Sequence, residues 1–335
     1  MSGKSIDHAF TADGVIGAAS DPTYAGALSF MRRRYTKDVS GTDVAVWGVP
    51  FDSAVSNRPG ARFGPQALRR ASAIFDNDPQ YPFDRDLFAS LAVADYGDCL
   101  LDYRLPETAH AAIRAEATEL LKATGFLLTL GGDHSITYPL LKAHAERHGR
   151  LSLLQFDAHQ DTWPVASGAG GSPRVDHGSF VKQAVEDGLI DPATSIQVGI
   201  RTHAPETCGI EILGGEAIEE MTSAAIAERI YARTGGTNVY LTFDIDCLDA
   251  AFAPGTGTPV AGGPSSAKML AVLRHLKYLQ LVGADVVEVS PPYDHADITA
   301  IAGSTVAMYV LGMLAEKKAH TTWNRQEDAR QPSPS

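Results

Sequence analysis

The sequence Leu151-Ser-Leu-Leu-Gln-Phe-Asp-Ala-His-Gln-Asp161 joins an apolar run to three ionisable side chains at alternate positions. The run at 151–156 has the length and composition of a strand that is buried on both faces. If extended geometry continues beyond it, Asp157, His159 and Asp161 point to the same side. This stretch therefore predicts a buried strand that ends in a group of potential metal ligands.

Similar apolar runs recur at 44–49, 126–130, 196–200, 239–243 and 282–287, and helical patterns separate them at 107–124, 138–148, 224–233 and 265–279. This alternation predicts an α/β fold with a mostly parallel sheet covered by helices on both faces. Because no Pro/Ser-rich linker interrupts the pattern, we expect a single domain at 41–320. An N-terminal arm at 1–40 precedes it, and a polar C-terminal tail at 321–335, poor in apolar residues, is expected to fray.

Two more strand ends carry ligand-type residues. Gly131-Gly-Asp-His134 follows the run at 126–130, and Asp244-Ile-Asp246 follows the run at 239–243. The carboxyl ends of parallel strands meet at the edge where open α/β folds bind ligands. Four aspartates at one edge repel one another unless cations are present, and oxygen-rich sites with some imidazole suit manganese better than zinc. We therefore predict two Mn²⁺ ions per subunit, one held by His134, Asp157, Asp161 and Asp244, the other by Asp157, His159, Asp244 and Asp246.

The composition limits the classes of binding partner and the cellular compartment that can be expected. A formal net charge of -12 over 335 residues disfavours nucleic acid and suits a small cationic molecule. The three cysteines, Cys99, Cys208 and Cys247, are far apart and suggest neither disulfides nor a cysteine zinc site. No signal peptide or membrane span is evident. We expect a cytoplasmic protein.

Seven ordered motifs resemble the ureohydrolases, the arginase and agmatinase family, and the agmatinase branch most closely. The resemblance covers 44–314 and includes Gly131-Gly-Asp-His-Ser135, Phe156-Asp-Ala-His-Gln-Asp161, Phe243-Asp-Ile-Asp-Cys-Leu-Asp249, Ala253-Pro-Gly-Thr-Gly-Thr-Pro259, Arg58-Pro-Gly-Ala-Arg-Phe-Gly-Pro65, Asp176-His-Gly178 and Val286-Val-Glu-Val-Ser-Pro291. It implies a three-layer α/β/α fold, the same six metal ligands around two manganese ions, and assembly into homotrimers or homohexamers.

The resemblance also implies a reaction, the cleavage of agmatine to putrescine and urea by a hydroxide that bridges the two metals. In this reaction Glu288 pairs with the guanidinium, His177 passes a proton to the leaving amine, and Asp246 accepts a hydrogen bond from the hydroxide. The residues expected to bind the substrate are Glu288, His177, Thr258, Trp163 and Glu206, with Glu206 offsetting the charge of an ammonium tail.

Other functions remain open. The segment 162–176 is longer and richer in glycine than in simple agmatinases, so guanidinobutyrate, guanidinopropionate or guanidine is the closest alternative substrate. An acid tail requires a basic group, so Arg174 or Arg201 facing the site would favour that alternative. A polyamine deacetylase would use one zinc, and a non-catalytic binding protein would not need all six ligands together with His177 and Glu288.

Overall fold

The computed structural model describes Val15 and residues 22–75, 79–168 and 173–328, with side chains as far as His320. Its strands are β1 (Arg34–Tyr35), β2 (Val44–Gly48), β3 (Val93–Asp98), β4 (Phe126–Leu130), β5 (Ser152–Phe156), β6 (Ala166–Ser167), β7 (Pro173–Arg174), β8 (Ile196–Ile200), β9 (Glu211–Gly214), β10 (Val239–Asp244) and β11 (Leu281–Val287). Its α-helices are α1 (Gly64–Ala71), α2 (Ala109–Ala123), α3 (Thr137–His148), α4 (Phe180–Glu186), α5 (Gly215–Glu220), α6 (Ser223–Thr234), α7 (Ser266–His275) and α8 (Ile298–Asp328).

Nine of these strands form one sheet in the order β1-β3-β2-β4-β11-β10-β5-β8-β9, and β6 pairs with β7 in a separate antiparallel hairpin. Each neighbouring pair in the nine-stranded sheet is parallel. Strands β4, β11, β10 and β5 are adjacent at the centre of the sheet. The segments that follow these four strands are therefore brought together at one edge, where the sequence predicts the metal ligands.

Both faces of the sheet are buried because side chains alternate between two hydrophobic cores. Along β2, Val44 and Val46 pack in one core, while Ala45 and Trp47 pack in the other. Helices α1, α5, α6, α7 and α8 contribute to the first core, and α2, α3 and α4 contribute to the second. The α/β/α arrangement with helices on both faces confirms the predicted fold class.

All six predicted strands are present, but β1, β3, β6, β7 and β9 were not predicted, nor were α1, α4, α5 and α8. Strand β3 was missed because its sequence, Val-Ala-Asp-Tyr-Gly-Asp, contains an acidic residue at its centre. That residue, Asp95, is buried and bonded to Arg69 of α1 through both carboxylate oxygens, at 2.8 and 3.0 Å. An ion pair therefore replaces apolar packing at this position.

The structure describes part of each predicted terminal segment, and the domain boundaries themselves stay a prediction. Phe30 and Met31, in the predicted arm, are buried in the first core, and β1 pairs with β3. Helix α8 continues to Asp328 through part of the predicted tail. The remaining predictions for 1–14, 16–21 and 329–335 concern positions outside the described residues.

Helix α8 contains the segment Ile298–His320, which is long and apolar enough to cross a membrane by length and composition. Its most apolar window is, however, 78% buried inside the protein. Val306, Val310 and Leu311 lie in the first core with almost no exposure. The apolar character of this segment is therefore accounted for by packing against the sheet.

The Arg69–Asp95 pair provides a stability prediction. Replacing Arg69 with Gln leaves the fully buried Asp95 carboxylate without its cation, and we expect the free energy of unfolding to fall by about 3–5 kcal/mol. The matched control is Arg104→Gln, which removes an Arg–Asp pair whose arginine is 73% exposed, and should leave the free energy of unfolding nearly unchanged. Urea denaturation followed by circular dichroism measures both; equal losses would contradict the role of burial.

Candidate metal centre and substrate cavity

His134 is placed by the turn that follows β4. The short 3-10 helix His134–Ile136 begins after Asp133, whose Oδ1 accepts a hydrogen bond from Ser135 N at 3.0 Å. Asp133 Oδ2 accepts from Ala54 N at 3.0 Å and so ties this turn to the loop after β2. The fixed turn directs the His134 imidazole into the protein, where it is 1% exposed.

Three carboxylates converge on this imidazole. His134 Nδ1 lies 3.1 Å from Oδ2 of Asp157, 3.1 Å from Oδ2 of Asp161 and 3.1 Å from Oδ2 of Asp244. Each of the three oxygens comes from a buried side chain. The sequence predicts these four residues as the ligands of one ion, and the structure brings all four together.

A hydrogen-bond chain fixes the tautomer of His134. Thr242 Oγ1 donates to Asp285 Oδ1 at 2.5 Å, and Asp285 also accepts hydrogen bonds from the hydroxyls of Thr137 and Tyr240. The Thr242 oxygen is therefore free to accept from His134 Nε2 at 2.8 Å. With its proton on Nε2, His134 presents the lone pair of Nδ1 to the three carboxylate oxygens.

A second group of ligand atoms adjoins the first. His159 Nδ1 lies 3.1 Å from Asp246 Oδ2 and 3.4 Å from Asp157 Oδ1. Asp157 thus contributes one oxygen to each group, as expected of a bridging ligand. Asp244 contributes Oδ2 to the first group but is not part of the second, so its role as a second bridge stays a prediction.

The charge of the two groups fits divalent cations. Burial raises the pKa of Asp161 to about 7, with the charge of Asp157 adding to the effect. Burial also raises the pKa of Asp244 well above its usual range, and the charges of Asp246 and Asp157 raise it further. Protonating both histidines would supply two positive charges against four carboxylates, whereas two divalent cations balance all four. The donor set therefore fits a pair of metal ions.

The ligands after β5 are arranged differently from the prediction. The strand ends at Phe156, and Asp161 adopts a left-handed backbone conformation with φ of 52°. The segment 157–161 is therefore a turning loop and not a continued strand. Gln155 supports it, since Nε2 donates to Asp157 Oδ2 at 2.7 Å and to Asp161 Oδ2 at 3.3 Å.

Glu288 follows β11 and is 1% exposed. Its Oε1 accepts from His134 N at 2.9 Å and lies 3.2 Å from His177 Nδ1, while Oε2 has no hydrogen-bond partner among the described residues. The backbone at Glu288 is left-handed, with φ of 62°. A buried carboxylate oxygen without a donor costs about 1–3 kcal/mol, which a ligand donor would offset.

His177 lies between Glu288 and Ser56. Ser56 N donates to His177 Nε2 at 2.9 Å, and Ser56 Oγ lies 2.7 Å from the same nitrogen. Burial lowers the pKa of His177, but the hydrogen bond and charge of Glu288 outweigh it and raise the pKa to about 9. Ser56 serves both protonation states, because its N–H donates to the neutral ring and its hydroxyl can accept from a protonated one.

A cavity of about 370 Å³ opens above these residues. Its lining includes Trp163 and Thr258, two of the predicted substrate contacts, and Thr258 Oγ1 donates to Asp246 Oδ2 at 3.2 Å. No lysine or arginine is found among the described residues that line it. The full lining consists of Ser56, His134, His159, Asp161, Trp163, Asp176, His177, Gly178, Asp244 and Thr258.

Glu206 does not line this cavity. Its carboxylate is half-exposed and bonds to Lys182, which also pairs with Glu186, so the predicted contact with a substrate tail is not seen.

The two arginines that could bind an acid tail lie elsewhere. Arg174 is exposed beside a different cavity. Arg201 donates to the carbonyls of Asp246, Cys247, Leu248, Gly199 and Val260. Neither arginine lines the cavity above the metal ligands, so the condition that would favour an acid-tailed substrate is not met.

Several supporting residues were not predicted, namely Ser56, Asp133, Gln155, Asp176, Thr242 and Asp285. Three of them are polar residues inside apolar strands, where a side chain without a partner is costly. Gln155, Thr242 and Asp285 are each fully buried and bonded to a metal ligand or to a partner of one. A search for polar residues inside predicted strands could have found these three from the sequence.

Comparison with known proteins agrees with the site. A model of the arginase family matches residues 42–312. The chain belongs to the arginase family. Among arginase-family relatives, an agmatinase of Chromobacterium violaceum is 47% identical over 94% of this chain and 97% of its own. The chain is thus a member of a family of amidinohydrolases, as the motifs predict.

Solved structures of arginase-family proteins show the same fold. A hypothetical agmatinase from Burkholderia thailandensis superposes with a TM-score of 0.90 and 52% identity, over 93% of this chain and 98% of that one. Proclavaminate amidino hydrolase from Streptomyces clavuligerus superposes with a TM-score of 0.83 and 38% identity, over 89% of this chain and 100% of that one. The two relatives carry different substrate names, so family membership alone leaves the substrate tail open.

The tautomer of His134 can be tested through metal binding. Thr242→Val removes the acceptor of His134 Nε2 at nearly constant volume, and we expect Mn²⁺ affinity to fall about 10–100-fold in calorimetric titration. The matched control is Thr129→Val, because Thr129 is equally buried and its hydroxyl has no partner among the described residues. Equal affinity in the two variants would show that the Thr242 hydrogen bond does not orient His134.

Proposed function

We propose that this protein hydrolyses agmatine to putrescine and urea with two manganese ions. The observation that carries the proposal is the lining of the cavity: beside a cluster of metal-type ligands it holds one further carboxylate, Asp176, and no lysine or arginine among the described residues. A substrate with a positive charge at both ends suits such a wall. The agmatinase name of the Chromobacterium violaceum relative supports the same substrate.

In this proposal His134, Asp157, Asp161 and Asp244 would hold one manganese ion, and Asp157, His159, Asp244 and Asp246 would hold the other. Manganese, when bound, supplies Lewis acidity that lowers the pKa of water toward neutrality. Gln155 donates to Asp157 and Thr242 accepts from His134 Nε2, so these two side chains orient the candidate ligands. Thr258, bonded to Asp246, holds that carboxylate in place.

Glu288 is the residue proposed to orient the guanidinium. Its unpaired Oε2 is an acceptor for a guanidinium N–H, and hydrogen bonds between charged groups are among the stronger ones. Its other oxygen is already bonded to His134 N and to the His177 ring, so the carboxylate cannot turn freely. Glu288 is not among the described residues that line the cavity and its Oε2 is buried, so guanidinium binding requires this oxygen to be opened to the cavity.

His177 is proposed to deliver the proton that the leaving amine needs. Glu288 holds the Nδ1 proton, so Nε2 is the atom at which a second proton is gained or lost. Ser56 contacts Nε2 through both its N–H and its hydroxyl and can therefore stabilise the ring before and after transfer. A positioned imidazole of this kind contributes about 10²–10⁴-fold to the rate.

The alternative acid substrates, guanidinobutyrate and guanidinopropionate, fit less well. Their carboxylates would meet Asp176, and the described lining offers no lysine or arginine to pair with them. The homotrimer or homohexamer and the cytoplasmic location remain predictions. Sedimentation analysis tests the first, and fractionation of the source cells tests the second.

Urea release by manganese-loaded protein tests the proposed substrate. Agmatine, guanidinobutyrate, guanidinopropionate, arginine and guanidine are compared, each with and without a chelator. We expect chelator-sensitive turnover with the highest kcat/KM for agmatine. Preference for an acid would overturn the proposed substrate, and urea from none of the five would overturn the reaction.

Glu288→Gln tests the orientation of the guanidinium. The amide keeps the shape of the side chain but removes its charge, and we expect kcat/KM for agmatine to fall about 30–1,000-fold, which is equivalent to about 2–4 kcal/mol. Manganese content, measured by atomic emission, should remain the same because Glu288 is not a ligand. Glu146→Gln, at an exposed pair with Arg114, is the control and should keep full activity.

A further inference from the structure

The cavity contains one carboxylate that the metal centre does not use. Of the three aspartates in the described lining, Asp161 and Asp244 face His134, and only Asp176 lies outside both ligand groups. Resting on the proposed function, we propose that Asp176 binds the distal ammonium group of the substrate and so selects amine-tailed guanidines. This is the role that the sequence predicts for Glu206.

Hydrogen bonds within its own turn orient the Asp176 side chain. Oδ1 accepts from Ser179 Oγ at 2.7 Å and from Gly178 N at 3.1 Å, while Ser179 Oγ accepts in turn from Asp176 N at 3.0 Å. Oδ2 has no hydrogen bond and the carboxylate no cationic partner within the described part of the chain. The side chain is therefore fixed through one oxygen and has a second oxygen and its charge available.

Trp163 supplies an apolar wall next to this carboxylate. Its backbone N–H donates to Gly178 O at 3.0 Å, which joins the two loops that carry Trp163 and Asp176. A Cβ atom placed on Gly178 would lie 3.7 Å from Asp176 Oδ1 and 3.9 Å from Trp163 Cε3. Glycine thus leaves a space that both the indole and the carboxylate border.

Such a space suits an alkylammonium chain. Methylene groups gain from contact with the indole, a cation near its face is attracted by the ring, and the ammonium donates to the carboxylate. A carboxylate-tailed guanidine would meet repulsion from Asp176 at the same place. The nearby Glu206 cannot replace Asp176, because its carboxylate is turned to Lys182 at the surface.

Asp176→Asn provides the test, because the amide oxygen can still accept from Gly178 N and Ser179 Oγ while the charge is removed. Urea release is measured for agmatine and for pentylguanidine, in which a methyl group replaces the ammonium. We expect kcat/KM for agmatine to fall on the order of 10–100-fold, mainly through KM, with little change for pentylguanidine. Glu146→Gln, which removes an exposed charge paired with Arg114 outside the cavity lining, should leave both values within about twofold.

The outcomes separate this inference from the proposed function. Suppose that the wild-type protein hydrolyses agmatine. If Asp176→Asn then lowers kcat/KM equally for agmatine and pentylguanidine, or for neither, the turn is structural and the inference is overturned. If wild-type protein does not hydrolyse agmatine, the proposed substrate fails first, and the inference with it. Asp176→Ser, whose hydroxyl can also accept from Gly178 N, is the second variant if the asparagine protein does not fold.

Discussion

Four buried aspartates lie at one edge of a parallel sheet, and the rest of the structure has to compensate for their mutual repulsion. Asp157, Asp161, Asp244 and Asp246 are each at most 4% exposed, and two histidines cannot balance their charge. Such an arrangement would be expected to destabilise the fold unless cations compensate it. The apparent stability of the protein should therefore depend on bound metal as well as on its two hydrophobic cores.

The need to orient these charged side chains also affects the residues inside the central strands. Gln155 and Gln197 are polar side chains within strands that are otherwise apolar, and Gln197 Nε2 donates to Gln155 Oε1 at 2.7 Å. Thr242 and Asp285 perform the same task on the opposite side of His134. The central strands therefore provide both the hydrophobic core and the hydrogen bonds that orient the metal ligands.

Much of this organisation could be predicted from the sequence, because apolar runs that end in Asp or Gly mark buried parallel strands. The same pattern indicates six side chains that the structure brings together at one edge of the sheet. It failed for β3, where an ion pair replaces apolar residues, and it does not foresee that Glu206 bonds to Lys182, 24 residues away in sequence. Side-chain direction in loops depends on such long-range partners, and periodicity contains no information about them.

Two different parts of the chain build the site. The candidate metal ligands follow β4, β5 and β10 at the centre of the sheet, whereas Trp163, Asp176 and Gly178 lie in the loops on either side of the β6–β7 hairpin. Changes in these two loops are therefore expected to alter the substrate tail that the proposed site accepts without moving the candidate metal ligands. Evolution could use this separation to diversify substrates within one scaffold, and protein engineers could exploit it by exchanging these loops alone.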